Sequence, residues 1–210
     1  MAYIGSKPAN KPVVAGDLDP VIITGQTALA VAPAATDEFI ISDAGTLKRI
    51  DASLVGGITV ADQWRLSANT NSGTNADVTS NWERNDNTGY GSIGTGLTES
   101  SGIFSFPSTG IYLIIFKGRM QNAASDTSSN FSLYVTTDNS NYTEVGVVAS
   151  GNGSSSVIIS GSSNTFLFDV TNTTTHKFKF VTASFSTDTV LTGGTDIQRT
   201  GLTMIKLGDT

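Results

Sequence analysis

The chain has 210 residues, with twelve Lys and Arg against eighteen Asp and Glu, a formal net charge of −6 and no cysteine. That length suffices for one sizeable β domain and an extension. The acidic balance speaks against a nucleic-acid groove, which needs clustered cations, and the missing thiols remove disulfides, thiol nucleophiles and thiolate metal sites together. Charged residues make up only 14% of the chain, well below the roughly 25% usual in soluble proteins, and Thr, Ser, Asn and Gly fill the gap. No apolar run reaches the 18 residues that a membrane-spanning helix needs. The first residues, MAYIGSKPANKP, have no apolar signal core, so cytoplasmic synthesis is expected.

Residues 1–36 hold four of the five prolines, Pro8, Pro12, Pro20 and Pro33. Short apolar pieces (Tyr3-Ile4, Val13-Val14, Val21-Ile22-Ile23) alternate with breakers, and residues before proline are driven to extended conformations. Such a segment cannot build its own core. It is apolar enough to lie along another surface, so it reads as an extended attachment arm that orders on a partner.

Residues 37–62 read as a small connector. Phe39 to Ser42 form a strand, Asp43-Ala44-Gly45 a hairpin turn with glycine supplying positive φ, and Thr46 to Ile50 the return strand. An isolated two-stranded hairpin is marginal in water, so it should pack on its own copies or on a host structure. Residues 51–55 could add one helical turn, and Gly56-Gly57 is a hinge.

Residues 63–210 alternate strands with turn clusters at intervals of about 8–12 residues, the pattern of a sandwich or jelly roll. Strands are expected at 63–68, with Trp64 and Leu66 on one face, and at 78–84, anchored by Trp82. Residues 102–116, GIFSFPSTGIYLIIF, organise the rest. Ile103, Phe104 and Phe106 precede a turn at Pro107-Ser108-Thr109-Gly110, and 111–116 run on without a polar residue. Pro107 cannot donate to a ladder and ends one strand; Gly110 can turn the corner. A strand apolar on both faces needs both faces covered, one by the domain core and the other by a neighbouring subunit. Further strands are expected at 131–135, 142–148, 157–159, 166–170 and 176–185, the last with Phe178 and Phe180 on one face and Lys177 and Lys179 on the other. Gly193-Gly194 precedes a final strand at 200–207.

The pattern Gly102-x-Phe104-x-x-Pro107-x-x-Gly110-x-Tyr112 resembles the signature of C1q/TNF-like jelly rolls, and 201–207 resembles that family's last strand. The resemblance covers residues 63–210. It implies an all-β jelly-roll sandwich that forms homotrimers, with Phe104, Phe106, Pro107, Gly110, Tyr112, Ile114, Phe116, Leu202 and Ile205 in the core and the trimer-forming strands. Asp at Ile114 or Ile115 is then expected to break assembly. Residues 37–55, DEFIISDAGTLKRIDASLV, resemble a segment of marine bacteriophage fibre-type virion proteins. Together these imply a virion structural protein made in the host cytoplasm: a short trimeric fibre or spike. Its arm, with Tyr3, Ile4, Val13, Val14, Val21, Ile22 and Ile23, would grip another capsid or tail protein. Its head would face a host-surface glycan or protein. A capsid decoration or head-fibre protein without host recognition is the alternative within that class, and a polysaccharide-degrading jelly-roll enzyme the alternative outside it.

Little in the sequence points to catalysis. His176 is the sole histidine, at a strand start, and acid–base work needs a positioned partner and a pocket. No serine sits in a nucleophile elbow, and the carboxylates are scattered. Gly91-x-x-Gly94-x-Gly96 has neither the lysine nor the following helix of a phosphate loop. Asp138-Asn139-Ser140-Asn141 offers the oxygen ligands calcium prefers, but its spacing fits no EF-hand and suits a turn. No cofactor is expected apart from that candidate. Of the aromatics Trp64, Trp82, Tyr90, Tyr134 and Tyr142, Tyr90 between loop glycines is the best candidate for an exposed ligand contact.

Overall fold

The computed structural model describes residues 33–210 except 35, 53–54, 56 and 71–74, together with Gly25 and Thr27. The arm residues Tyr3, Ile4, Val13, Val14, Val21, Ile22 and Ile23 lie outside the described residues. The chain divides into two units, one ending at Gly56 and the other beginning at Gly57.

In the first unit, β1 (Glu38–Asp43) pairs antiparallel with β2 (Thr46–Asp51). Ala44 and Gly45 close the hairpin with φ of 49° and 81°, the two positive φ values that match the right-handed twist of the flanking strands. Phe39 lies opposite Ile50, and the ion pairs Lys48–Asp43 and Arg49–Glu38 (3.1 Å) cross between the strands. Every residue of β1 is exposed, Ile40 by 75%.

The second unit is a sandwich of twelve antiparallel strands: β3 (Ala61–Leu66), β4 (Ala76–Asp77), β5 (Trp82–Arg84), β6 (Thr98–Ser100), β7 (Ile103–Ser105), β8 (Gly110–Asn122), β9 (Ser129–Thr136), β10 (Thr143–Ser150), β11 (Ile158–Val170), β12 (Lys177–Ala183), β13 (Val190–Leu191) and β14 (Gly201–Gly208). One sheet runs β10-β9-β12-β7-β6 with β4 beside β12; the other runs β11-β8-β14-β3-β5 with β13 beside β8. From β8 onward the chain crosses between sheets at β8–β9, β10–β11, β11–β12 and β12–β13, while β9 and β10 are neighbours in one sheet, and the inner faces meet in an aromatic core. Phe104 stacks on Phe178 at 4.9 Å and Phe131 on Phe180 at 4.8 Å; Trp64 and Trp82 meet the edge of Phe104 at 5.5 and 5.1 Å. Both Trp are therefore partly buried side chains packed against the core. A ring of this size buries 150–250 Å² and carries much of the packing energy.

Four of the five fixed positions of the motif at 102–112 have a structural role, whereas Pro107, expected in the core or trimer-forming strands, is exposed in the bend between β7 and β8. Gly102 (φ 83°) turns from β6 into β7, and a Cβ there would strike the carbonyl of Val78. Phe104 and Phe106 are buried, and Phe106 packs 4.7 Å from Tyr112. Gly110 (φ 143°) passes against Lys206 and the carbonyl of Gly208. The Tyr112 hydroxyl donates to the carbonyl of Ser108 at 2.9 Å and pins the 107–110 turn to β8.

Several expectations change. Of the strand expected at 78–84 only 82–84 forms, as β5; Asn81 takes φ 65°, and the preceding strand β4, at 76–77, pairs in the other sheet. Residues 157–159 and 166–170 are the ends of one strand, β11, because polar residues 160–165 keep their ladder to β8. Strands β6 and β13 were not expected. Ile114 and Ile115 do not share a face: Ile114 is fully buried in the sandwich and Ile115 points outward, 37% exposed. Among the residues expected in core or trimer contacts, Phe104, Phe106, Tyr112, Ile114, Phe116 and Leu202 all belong to this internal core.

Candidate functional site

The outward face of the β11-β8-β14-β3-β5 sheet is the candidate site. Along β8 side chains alternate, so Tyr112, Ile114 and Phe116 point into the core, while Ile111, Leu113, Ile115, Lys117 and Arg119 point away. Directly paired residues share a face, which assembles rows across the sheet. One row is Leu167–Leu113–Ile205–Ala61, and the next is Thr165–Ile115–Thr203–Gln63. Leu167 is 57% and Leu207 56% exposed. Ile205 and Ile115 are thus the residues expected in assembly whose side chains lie on this face; Ile111, Leu113 and Leu167 share it without having been singled out from the sequence. Their alternation with Tyr112, Ile114 and Phe116 is visible in the sequence, but an unbroken apolar run hides which alternate set is inside.

Beyond Ile115 the face changes character. The next row is Ser163–Lys117–Gly201–Arg65–Glu83. Arg65 is almost wholly buried and held by Glu83 at 3.1 Å and Asp86 at 2.6 Å. Lys117, Arg119 and Arg199 line a groove of about 830 Å³, together with the hydroxyls of β11 and the side chains of Ile159 and Ile197. A smaller cavity of about 230 Å³ lined by Ile115, Lys117, Gln198 and Thr203 connects this groove to the apolar rows. Burial pushes the Lys117 amine below its ordinary pKa, because leaving water disfavours the charged form. Arg119 donates to Thr192 Oγ1 at 3.0 Å and Arg199 to the carbonyl of Gly193 at 2.8 Å.

The other candidate residues do not converge. His176 is buried against Phe168, with Thr171 Oγ1 3.2 Å from Nε2 and Thr175 Oγ1 3.1 Å from Nδ1; no described carboxylate bonds to it. Asp138 accepts four hydrogen bonds from its own loop: the backbone N–H groups of Ser140 (2.8 Å) and Asn141 (2.7 Å), the Thr136 hydroxyl (2.9 Å) and the Asn141 amide (2.6 Å). The bonds from Asn141 lead those that hold this carboxyl well below the usual range, so the 138–141 cluster works as a turn. Among the described residues no group of three or more His, Asp or Glu could share a metal ion. Tyr90 is half-buried, in a turn closed by its own N–H on the carbonyl of Asn87. Gly96 (φ 72°) allows the N–H of Leu97 to reach the buried carboxylate of Asp62 at 2.8 Å. Asp62 also binds the Trp64 indole N–H at 2.9 Å and Arg84 at 3.1 Å. The glycine-rich loop therefore docks on Asp62.

No family model matches the sequence, and no curated protein matches it. Solved structures do resemble the fold. The Eiger TNF of S. frugiperda superposes with a TM-score of 0.54 at 10% identity, covering 73% of this chain and 96% of that one. Murine APRIL at pH 5.0 gives 0.49 at 13% identity, covering 70% and 98%. At such low identity the likeness is one of architecture: the chain is an all-β protein with a C1q/TNF-like jelly-roll sandwich.

Proposed function

We propose that this chain is a structural protein of a bacteriophage particle: a homotrimer joined through the outward face of the β11-β8-β14-β3-β5 sheet. In this reading residues 1–36 fix it to the virion, and the jelly roll faces the medium or the host. The observation that carries self-association is the pair of neighbouring rows holding Leu167, Leu113, Ile205 and Ile115 on the outward sheet face, with Leu167 and Ile115 exposed and Leu113 and Ile205 half-buried. An assembly of this kind removes on the order of 2,000 Å² or more from water. The virion assignment is supported by the likeness of residues 37–55 to phage fibre segments and by the extended composition of the first 36 residues.

Sedimentation of the full chain tests the first half: the expected mass is three times 21.8 kDa, and a stable monomer at micromolar concentration rejects it. Labelling of intact particles tests the second, with deletion of residues 1–36 expected to release the protein. Particles lacking the protein that fail to adsorb assign it to the host surface; normal adsorption with a weakened capsid assigns it to decoration. Reducing-sugar release from host polysaccharide would overturn the structural reading in favour of an enzyme.

A further inference from the structure

The cationic groove is chemically incomplete within one chain. Two of the twelve Lys and Arg, Lys7 and Lys11, lie outside the described residues. Of the remaining ten, Lys48, Arg49, Arg65, Arg84, Lys179 and Lys206 each sit in an ion pair. Lys117, Arg119, Lys177 and Arg199 form none among the described residues, and three of these four line the one groove. In a chain with a surplus of six carboxylates, that is a site which the acids among the described residues leave open. Ile159 and Ile197 in its walls are 48% and 53% exposed. Arginine beside uncovered apolar side chains is the composition of a protein contact surface.

We propose that this groove receives carboxylate side chains of a second copy of the chain, so that the apolar half of the sheet face supplies burial and the cationic half sets the register of assembly. The proposal rests on the self-association reading above. Two observations favour a second copy as the occupant. The groove is continuous with the apolar rows through the smaller cavity shared by Lys117 and Gln198. The charge is also complementary: Glu144, Asp169, Asp188 and Asp196 are exposed and in no ion pair among the described residues. Guanidinium groups suit such partners because they grip carboxylates in two-point geometry. A partner carboxylate would also relieve the half-buried Lys117 amine, whose charge is disfavoured in the single chain.

The test uses the full chain. Sedimentation from about 0.05 M to about 1 M sodium chloride is expected to weaken wild-type association by about tenfold or more, as screening of a cross-interface charge set requires. The triple variant K117Q/R119Q/R199Q should associate more weakly than wild type at low salt and lose the salt dependence. K117R should keep it. Far-UV circular dichroism checks that each variant stays folded. Carbodiimide coupling on mixed light and heavy-isotope copies should join Lys117 to a carboxylate of the other copy, and the mass identifies which. Wild-type assembly indifferent to salt and to the triple substitution, or Lys117 coupled only within its own chain, overturns the proposal and leaves the apolar reading standing. Stoichiometric binding of inorganic sulfate or of an acidic oligosaccharide to the assembled protein through these residues also overturns it, because the groove would then be open. A wild type that is monomeric at every salt concentration rejects both.

Discussion

Ile114 and Ile115 are adjacent, alike in size and opposite in consequence. Ile115 faces out of the sandwich with 37% of its surface exposed. Its burial on assembly recovers about a third of the ~1.5–3 kcal/mol of a whole aliphatic side chain, hence ~0.5–1 kcal/mol per copy. Truncation to Ala is therefore a weak probe. Ile115→Asp is a strong one, because an unpaired carboxylate driven into a dry contact costs several kcal/mol. At ~3 kcal/mol per contact the dissociation constant rises by a factor of a hundred or more. The single chain should stay folded, since Asp at an exposed strand position leaves the core untouched. Ile114 is fully buried, with both flanking strands paired to its own. Ile114→Ala should cost ~2–5 kcal/mol of folding stability, and Ile114→Asp should abolish folding. Sedimentation equilibrium reads assembly, and urea unfolding followed by tryptophan fluorescence reads stability. The expected pattern is a folded Ile115→Asp monomer beside an unfolded Ile114→Asp chain. An Ile115→Asp protein with wild-type mass and affinity would refute the assignment of this face to self-association.

Other substitutions probe the frame that holds the face. Asp62→Ala should lose ~3 kcal/mol in chemical denaturation, because it orphans the Leu97 N–H, the Trp64 indole N–H and the inner edge of Arg84 at once. Gly118→Ala places a methyl 2.9 Å from Val148 Cγ2 and 3.0 Å from Phe131 Cδ1, so overpacking should cost ~1–3 kcal/mol, read as a lowered melting temperature. Burial raises the Asp126 carboxyl, but hydrogen bonds from Thr189 and from Ser186 outweigh it and leave the pKa lowered. A lowered folded pKa means that Asp126 stabilises above the ordinary carboxylate value of ~3.9 and loses that contribution as pH falls through the folded value. Asp126→Asn should therefore be less stable than wild type at pH 7, with the gap closing below about pH 3.9. A gap that stays constant with pH counts against that role.

Local chemistry in the sequence determined most of the strands and their turns. Phe178 and Phe180 alternating with Lys177 and Lys179 could only be a half-buried strand, since the period of two puts the rings on one side. Ala44-Gly45 and the Pro107–Gly110 corner were legible because few residues accept those dihedrals. The jelly-roll class was legible in the spacing and in the Gly102–Tyr112 motif.

What the tertiary structure alone decided was partnership and sidedness. Residues 160–165 carry no apolar signal, yet they are strand because β8 runs beside them and takes their backbone hydrogen bonds. Residues 78–84 were expected as one strand and are not, because pairing with β12 ends at Asp77 and pairing with β3 in the other sheet begins only at Trp82. The groove escaped notice because Lys117 and Arg119 are separated from Arg199 by some eighty residues, and only the loop that follows Gly194 brings it over β8 and β11. An alternating pattern fixes that two faces exist; which one meets the core depends on the strands lying on either side, and that information resides in contacts far apart along the chain.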